Sequence, residues 1–356
     1  MKPGANHDHA RPVNILGGGP AGAAAALSAR ALGSDVTLFE RSKGPRHKVC
    51  GEFFSPEIEA ELDRLGVWDS FLAAGPARIR RMALHFGTKE KSCTLPEPGW
   101  GLSRFAFDSF MLESAQKEGV ILHHTAPAGE VHVIATGRNA LLGDSNHCGS
   151  SARGKRQFGF KAHFEGPSDD AVELYFFDGC YVGVNAVEGG RTNVCGLGSE
   201  HYLKRFDFDY DAILEECPAL AARLRPLTRS LKWLTTGPLM YWQNLRPQNR
   251  RAQNRREKIR VASSVADGPY PAGDALSFVD PFTGSGLLAA VKTGAIAGRA
   301  AAQCETLERY FEECRETLRR PFMTASLFRT VVNRGWADVL APLVPGRVLF
   351  ALTRPR

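Results

Sequence analysis

The chain has 356 residues, 43 % of them apolar and 23 % charged, with a formal net charge of +7. That composition is ordinary for a folded globular protein, and no apolar run approaches the ~20 residues that a membrane-crossing helix needs. The cysteines, at 50, 93, 148, 180, 195, 217, 304 and 314, show no C-x-x-C and no zinc spacing, which points to reduced thiols and no metal centre. The opening MKPGANHDHARP lacks an apolar stretch and reads as a polar tail, with His7 and His9 solvated, so a cytoplasmic location is expected.

Val13–Leu16 reads as a short strand and runs into Gly17-Gly18-Gly19-Pro20-Ala21-Gly22, which fits G-x-G-x-x-G. A helix over 23–32 and a second strand, Val36–Phe39, follow, closed by Glu40 and Arg41. Together these are the parts of a dinucleotide site. Gly17 makes the tight turn, Gly19 lets the backbone approach a pyrophosphate, and Gly22 lets helix and strand pack closely. The helix N-terminus offers free N–H groups and a positive dipole end, and Glu40 stands where ribose hydroxyls would donate to it.

Further along come PRHKVCGEFFSP (45–56), LSRFAFDSFML (102–112) and VIATGR (133–138). Four β-type runs, GFKAHF (159–164), VELYFF (172–177), CYVGVNAV (180–187) and RTNVCGLGS (191–199), predict an antiparallel sheet. Of its aromatics, Phe158, Phe160, Phe164, Tyr175, Phe177 and Tyr181, most are expected in the core and some along an apolar cavity. Residues 243–260 hold seven basic residues and one acid, including a doubled QNRR, and predict a solvated loop. Arginines without interleaved aromatics give no stacking surface, so no nucleic-acid partner is expected. In ADGPYPAGD, Pro269 and Pro271 cannot donate to a strand ladder. GDALSFVDPFTGSG (273–286) then leads into a small-residue helix over 287–302, where Gly294 and Gly298 mark close packing. The arginine-containing apolar stretch 321–356 predicts a helical cap, with peripheral membrane contact as the alternative.

In order and type these motifs resemble the flavoprotein group of geranylgeranyl reductases and aromatic hydroxylases of the p-hydroxybenzoate hydroxylase type. The resemblance implies an α/β fold: a Rossmann-like FAD-binding domain (13–75, 103–155, 260–310), a mainly antiparallel substrate domain (76–102, 156–259) and a helical C-terminus (311–356). It implies that Gly273 and Asp274 meet the flavin's ribityl chain, and that Pro281, Gly284, Ser285 and Gly286 open a helix aimed at the flavin. It also implies that Arg104 touches FAD, with Asp108 structural, and that the K-V-C-G-E loop, Lys48 to Glu52, passes beside flavin and substrate. The activity implied is saturation of alkene bonds in a small apolar, isoprenoid-like substrate by a cytoplasmic FAD enzyme, with NAD(P)H or a ferredoxin-like carrier as electron donor. Flavin monooxygenase action on an aromatic or polyketide-like substrate, and non-catalytic flavin binding, stand as alternatives. Cys50 and His47 are the candidate catalytic residues; Lys48 and His47 would lower the thiol's pKa if it faces the cavity, and a buried apolar thiol is the equal alternative. The chain departs from the reductases at Tyr181–Ala186, which lacks their Y-x-W-x-F-P residues, and 119–138 is short for the group.

Overall fold

The computed structural model describes residues 11–140, 156–177, 179–239, 242–243, 268–278 and 284–319. The N-terminal tail, most of the basic segment, Pro281 and 320–356 lie outside the described residues. In chain order the first elements are β1 (Val13–Leu16), α1 (Pro20–Ala31), β2 (Val36–Phe39), β3 (Phe53–Phe54), α2 (Ile58–Arg64) and α3 (Trp68–Ala73). Next come β4 (Ala77–Phe86), β5 (Lys89–Gly101), α4 (Arg104–Lys117), β6 (Ile121–His123), β7 (Val133–Ile134) and β8 (Gln157–Glu165). Then follow β9 (Ala171–Phe177), β10 (Cys180–Ala186), β11 (Thr192–Ser199), α5 (Glu200–Lys204), α6 (Tyr210–Glu215) and α7 (Pro218–Leu224). The last are β12 (Thr228–Arg229), β13 (Leu234–Leu239), β14 (Trp242–Gln243), β15 (Tyr270–Pro271), β16 (Ser277–Phe278) and α8 (Gly286–Ala302). A further helix covers 307–319.

The first sheet is parallel, in the order β15-β7-β1-β2-β6. β1 and β2 run in register from Val13 opposite Val36 to Leu16 opposite Phe39. The proline-flanked strand β15 is an edge. Tyr270 and Ala272 donate to His132 and Ile134 at 2.8 Å each, so the alternate positions, Pro269 and Pro271, lose nothing by lacking an N–H on the outer side. α1 begins at Pro20, three residues before the predicted start, because proline is pre-set for a first helical turn. Its alanines are buried on several sides, and α8 crosses it so closely that a Cβ on Gly294 or Gly298 would collide with the carbonyl oxygens of Ala21 or Ala25.

The second sheet has the order β12-β8-β11-β10-β9-β4-β5-β3, with β13 also on β8. It is antiparallel except where β4 meets β9 in parallel, because the β4–β5 hairpin enters from a distant part of the chain. One face, carrying Phe160, Ala162, Val182, Val184 and Val194, packs on α5, α6 and α7. Phe160, Phe164 and Tyr175 belong to that core, whereas Tyr181 packs against the opposite, apolar face. Among the described residues no helix is long and apolar enough to cross a membrane.

Two predictions concern this frame. Gly298→Ala forces α1 and α8 apart and lowers stability by about 1–3 kcal/mol, the usual cost of overpacking, read by denaturant unfolding. His132 Nδ1 accepts from the Asn14 N–H at 2.9 Å, and burial first, then the Arg11 charge, lowers its pKa to about 4. A depressed histidine contributes stability above its unfolded pKa near 6.5, which is lost as pH falls toward 4, by up to about 3 kcal/mol. His132→Asn, which keeps an acceptor without the titration, flattens that slope in pH-dependent unfolding.

Candidate cofactor and active site

The glycine turn has three distinct geometries. Gly17 sits at φ +105°, where a Cβ would run into the Ala135 backbone, and a Cβ on Gly22 would strike the Gly17 carbonyl oxygen. Around Gly19 a Cβ would meet nothing within 4 Å. Gly17 and Gly22 therefore close the strand–turn–helix joint, while Gly19 faces open space at the start of α1, where no side chain caps the N–H groups. Glu40 accepts from the N–H groups of Gly18 and Ser42, each at 2.8 Å. Burial works to raise its pKa, but those bonds and the Lys48 charge outweigh it and hold the carboxyl below its ordinary value. The acid is ionised at the rim of the turn, and Arg41 beside it is exposed.

The distant GD motif closes onto the same place. Gly273, at φ +59°, donates its N–H to Thr293 Oγ1 at 3.0 Å, and a Cβ there would press on Ala21. Asp274 stands beside it in a narrow cleft with Gly286, Ala290, Thr293 and Leu318. Burial pushes the Asp274 carboxyl up, against the pull of Arg104 and Arg138. Gly284 takes φ +62° next to the Phe53 ring, Ser285 is buried, and Gly286 begins α8 facing open space. Arg104, at the start of α4, is clamped by Asp108 at 2.8 and 3.1 Å, and Asp108 also takes Lys48 Nζ at 2.6 Å.

Glu52 ties these parts together, although the sequence reading passed over it. It is 1 % exposed and adopts φ +53°, a left-handed backbone that a non-glycine residue rarely holds. Its Oε1 accepts from the Arg104 N–H at 2.6 Å and pairs with Lys161 Nζ, and its Oε2 lies 2.7 Å from His163 Nε2. Burial favours protonation, yet the His163 and Lys161 partners hold the carboxyl below its ordinary value. One signal in the sequence was available. Lys161 and His163 are two apart in β8, so they share the face opposite Phe160 and Ala162. His47, Glu52 and His163 offer atoms within 4.8 Å of one another. Both carboxylate oxygens already have partners, Oε1 the Arg104 N–H and Lys161 and Oε2 His163.

The candidate catalytic residues are brought to this cluster. His47 packs edge-on to His163 at 5.1 Å between ring centroids. Cys50 accepts from the Glu52 N–H at 3.5 Å, and Asn193 holds the Gly51 carbonyl at 2.8 Å. The thiolate is not favoured: burial pushes the Cys50 pKa up, more than Arg104 and Lys161 pull it down. Cys50 is therefore a protonated thiol near neutral pH. Burial, then His163 and Lys161, lower the His47 pKa, so His47 is a neutral ring.

Residues 12–68 match the family described as pyridine nucleotide-disulphide oxidoreductase. The matched span holds the turn, Glu40 and the K-V-C-G-E loop. The chain is 26 % identical over 315 residues to a digeranylgeranylglycerophospholipid reductase of Methanoculleus marisnigri, covering 82 % of this chain and 76 % of that protein. In sequence and in fold the chain is thus similar to FAD-dependent oxidoreductases. A menaquinone reductase of Mycolicibacterium smegmatis is 39 % identical over 87 residues, which span 24 % of this chain and 20 % of that protein. A second, from Mycobacterium tuberculosis, is 31 % identical over 128 residues, 35 % of this chain and 31 % of that protein. The chain thus matches less than a third of the length of either menaquinone reductase. Among solved structures, a flavin-dependent brominase superposes with a TM-score of 0.72 at 19 % identity, covering 96 % of this chain and 93 % of that one. A flavoprotein/dehydrogenase from Cytophaga hutchinsonii gives 0.71 at 18 %, covering 91 % and 86 %.

The residues brought together here fit FAD. Gly19 leaves the phosphate cradle clear, and the small residues at 273, 284 and 286 line the approach along α8. Gly19→Val is therefore expected to preserve the melting temperature while lowering FAD affinity at least about tenfold, or ~1.4 kcal/mol. Gly22→Val, whose side chain has no room, is expected to lower stability itself. Thermal unfolding of the cofactor-free chains and flavin absorbance after reconstitution separate the two.

Proposed function

We propose that this flavoprotein saturates alkene bonds in an apolar, isoprenoid-like substrate, with electrons from NAD(P)H or a ferredoxin-like carrier. One observation carries the reading. A single cross-strand row of the second sheet runs Lys161, Cys195, Gly183, Leu174, Leu84, changing from charged to small to apolar along one face. Its polar end meets the Cys50–Glu52 turn. Its apolar end continues through Met82, Phe86, Phe176 and Tyr181, with Phe53 packed against it and adjoining Gly284. Alkene reduction uses such a division: an apolar surface to hold the chain, and a protonated group beside the reacting carbons.

FAD, when bound and reduced, supplies hydride. Arg104, fixed by Asp108 and by Glu52 at its backbone, positions positive charge at the cofactor site. Cys50, a thiol that burial keeps protonated, is the group suited to give a proton to substrate. The relatives named for menaquinone and for geranylgeranyl lipids favour a polyprenyl quinone or a polyprenyl glycerolipid.

Anaerobic incubation of FAD-loaded protein with dithionite and each lipid tests the reading. The expected product gains two hydrogens per alkene by mass spectrometry. Oxygen consumption triggered by an aromatic substrate, with no alkene saturation, would replace it with monooxygenase action. Cys50→Ala is expected to keep flavin content and lower saturation by about a hundredfold, in the range of lost general-acid catalysis.

A further inference from the structure

Behind the Cys50 turn lies a chain of polar groups that leads outward. Glu52, Lys161 and His163 are all within 1 % of full burial. From Glu52 Oε2 the chain passes at 2.7 Å to His163, and from there to His47, whose nearest atoms to both lie within 4.8 Å, the reach of one bridging water. His47 Nδ1 is buried without a hydrogen-bond partner. The His47 ring stacks on Phe105, which is 41 % exposed, with 5.2 Å between centroids. A buried carboxylate held at a left-handed φ, and linked to the surface through two imidazoles, is costly to maintain as mere packing.

We propose that His47, His163 and Glu52 form a proton path from solvent at the Phe105 edge to the Cys50 turn, resupplying the thiol after it has protonated substrate. The proposal rests on the alkene-reductase reading. The Cys50 S–H bond breaks as a C–H bond forms on one alkene carbon; the hydride for the neighbouring carbon is what reduced FAD would supply if held at its site. The Glu52 carboxylate then takes the proton of His163 Nε2–H and passes it from its new O–H to the thiolate, ending as the carboxylate it began as. In the same transfer His163 takes a proton through water from His47 Nδ1–H while His47 takes its replacement from solvent at Nε2. One solvent proton is consumed per alkene, Cys50 and Glu52 return to their starting states, and exchange of His47 with solvent restores its tautomer before the next cycle. Glu52 N–H, which donates to the sulfur, holds thiol and carboxyl on one turn.

The charged groups around the path suit transit over storage. Lys161 from β8, Arg104 from α4, Arg191 from the turn before β11 and Lys48 from the loop face it, with Asp108 and Glu188 pairing Arg104, Lys48 and Arg191, and with Cys195 beside Lys161. This cationic surround disfavours a lasting charge on His47.

Two measurements on the full FAD-loaded chain test the path. The first follows alkylation of Cys50 by iodoacetamide, read on its peptide by mass spectrometry, from about pH 6 to 10. Coupled groups titrate together, so the profile of the unmodified chain is expected to differ in shape and midpoint from that of His163→Gln. The second is anaerobic alkene saturation. His47→Ala, at the half-exposed end, is expected to lower kcat by about tenfold or more with KM unchanged, and added imidazole to restore it. A merely structural histidine would show no such rescue. If His163→Gln does not fold, His47→Ala serves in both measurements. An alkylation profile identical in all variants overturns the path, as does unchanged kcat or a kcat that imidazole does not restore. If the unmodified chain saturates no alkene, the functional reading falls, and the alkylation profiles alone decide whether the thiol is coupled to the histidines.

Discussion

Backbone-to-backbone approach around α1 is the constraint on which the molecule depends. From Pro20 to Ala26 the helix carries only proline, alanine and glycine, so turn and α8 reach its main chain. Gly22 admits the Gly17 carbonyl, Gly294 and Gly298 admit those of Ala21 and Ala25, and Gly273 rests on Ala21. Van der Waals attraction gains from such closeness only while every contact residue stays small. The result is that residues 17–22, 273–278 and 284–298, far apart in the chain, are brought together at one place.

The second organising element is electrostatic. Glu52 accepts from the first N–H of α4, from a lysine and from a histidine of the second sheet, so a single carboxylate joins the cofactor-binding layer to the sheet that faces it. The α4 N-terminus favours this negative charge. Ser103 reinforces the joint, its N–H and hydroxyl meeting Glu188 at 2.7 and 2.6 Å from the turn between β10 and β11. Arg104 thus has its backbone and its side chain fixed by different acids.

Local periodicity made much of this legible. β1 and β2 end where the apolar runs end, and the four β-type runs became β8, β9, β10 and β11, because each alternates around a face that must be buried. The three glycines of the turn could be given separate roles because each role is a steric demand on one residue. What stayed hidden depends on partners distant in sequence. Glu52 reads as one acid in a loop until Lys161, 109 residues on, is placed against it. The β4–β9 pairing is parallel for topological reasons that no single strand displays. The two readings of Cys50, a thiol activated by cations and a buried thiol, could not be separated from sequence, because adjacent cations are visible there and desolvation, which raises its pKa, is not.

The prolines flanking β15 have a consequence beyond the fold itself. An outer strand with free N–H groups is a template on which another chain can build, and this one closes a parallel sheet. With Pro269 and Pro271 at the outward positions and the Tyr270 and Ala272 N–H groups committed inward, residues 269–272 offer no outward donor to an incoming strand. Crowded copies of the protein are therefore denied sheet-to-sheet growth along this side, a protection against aggregation built from the two residues that looked least suited to a strand.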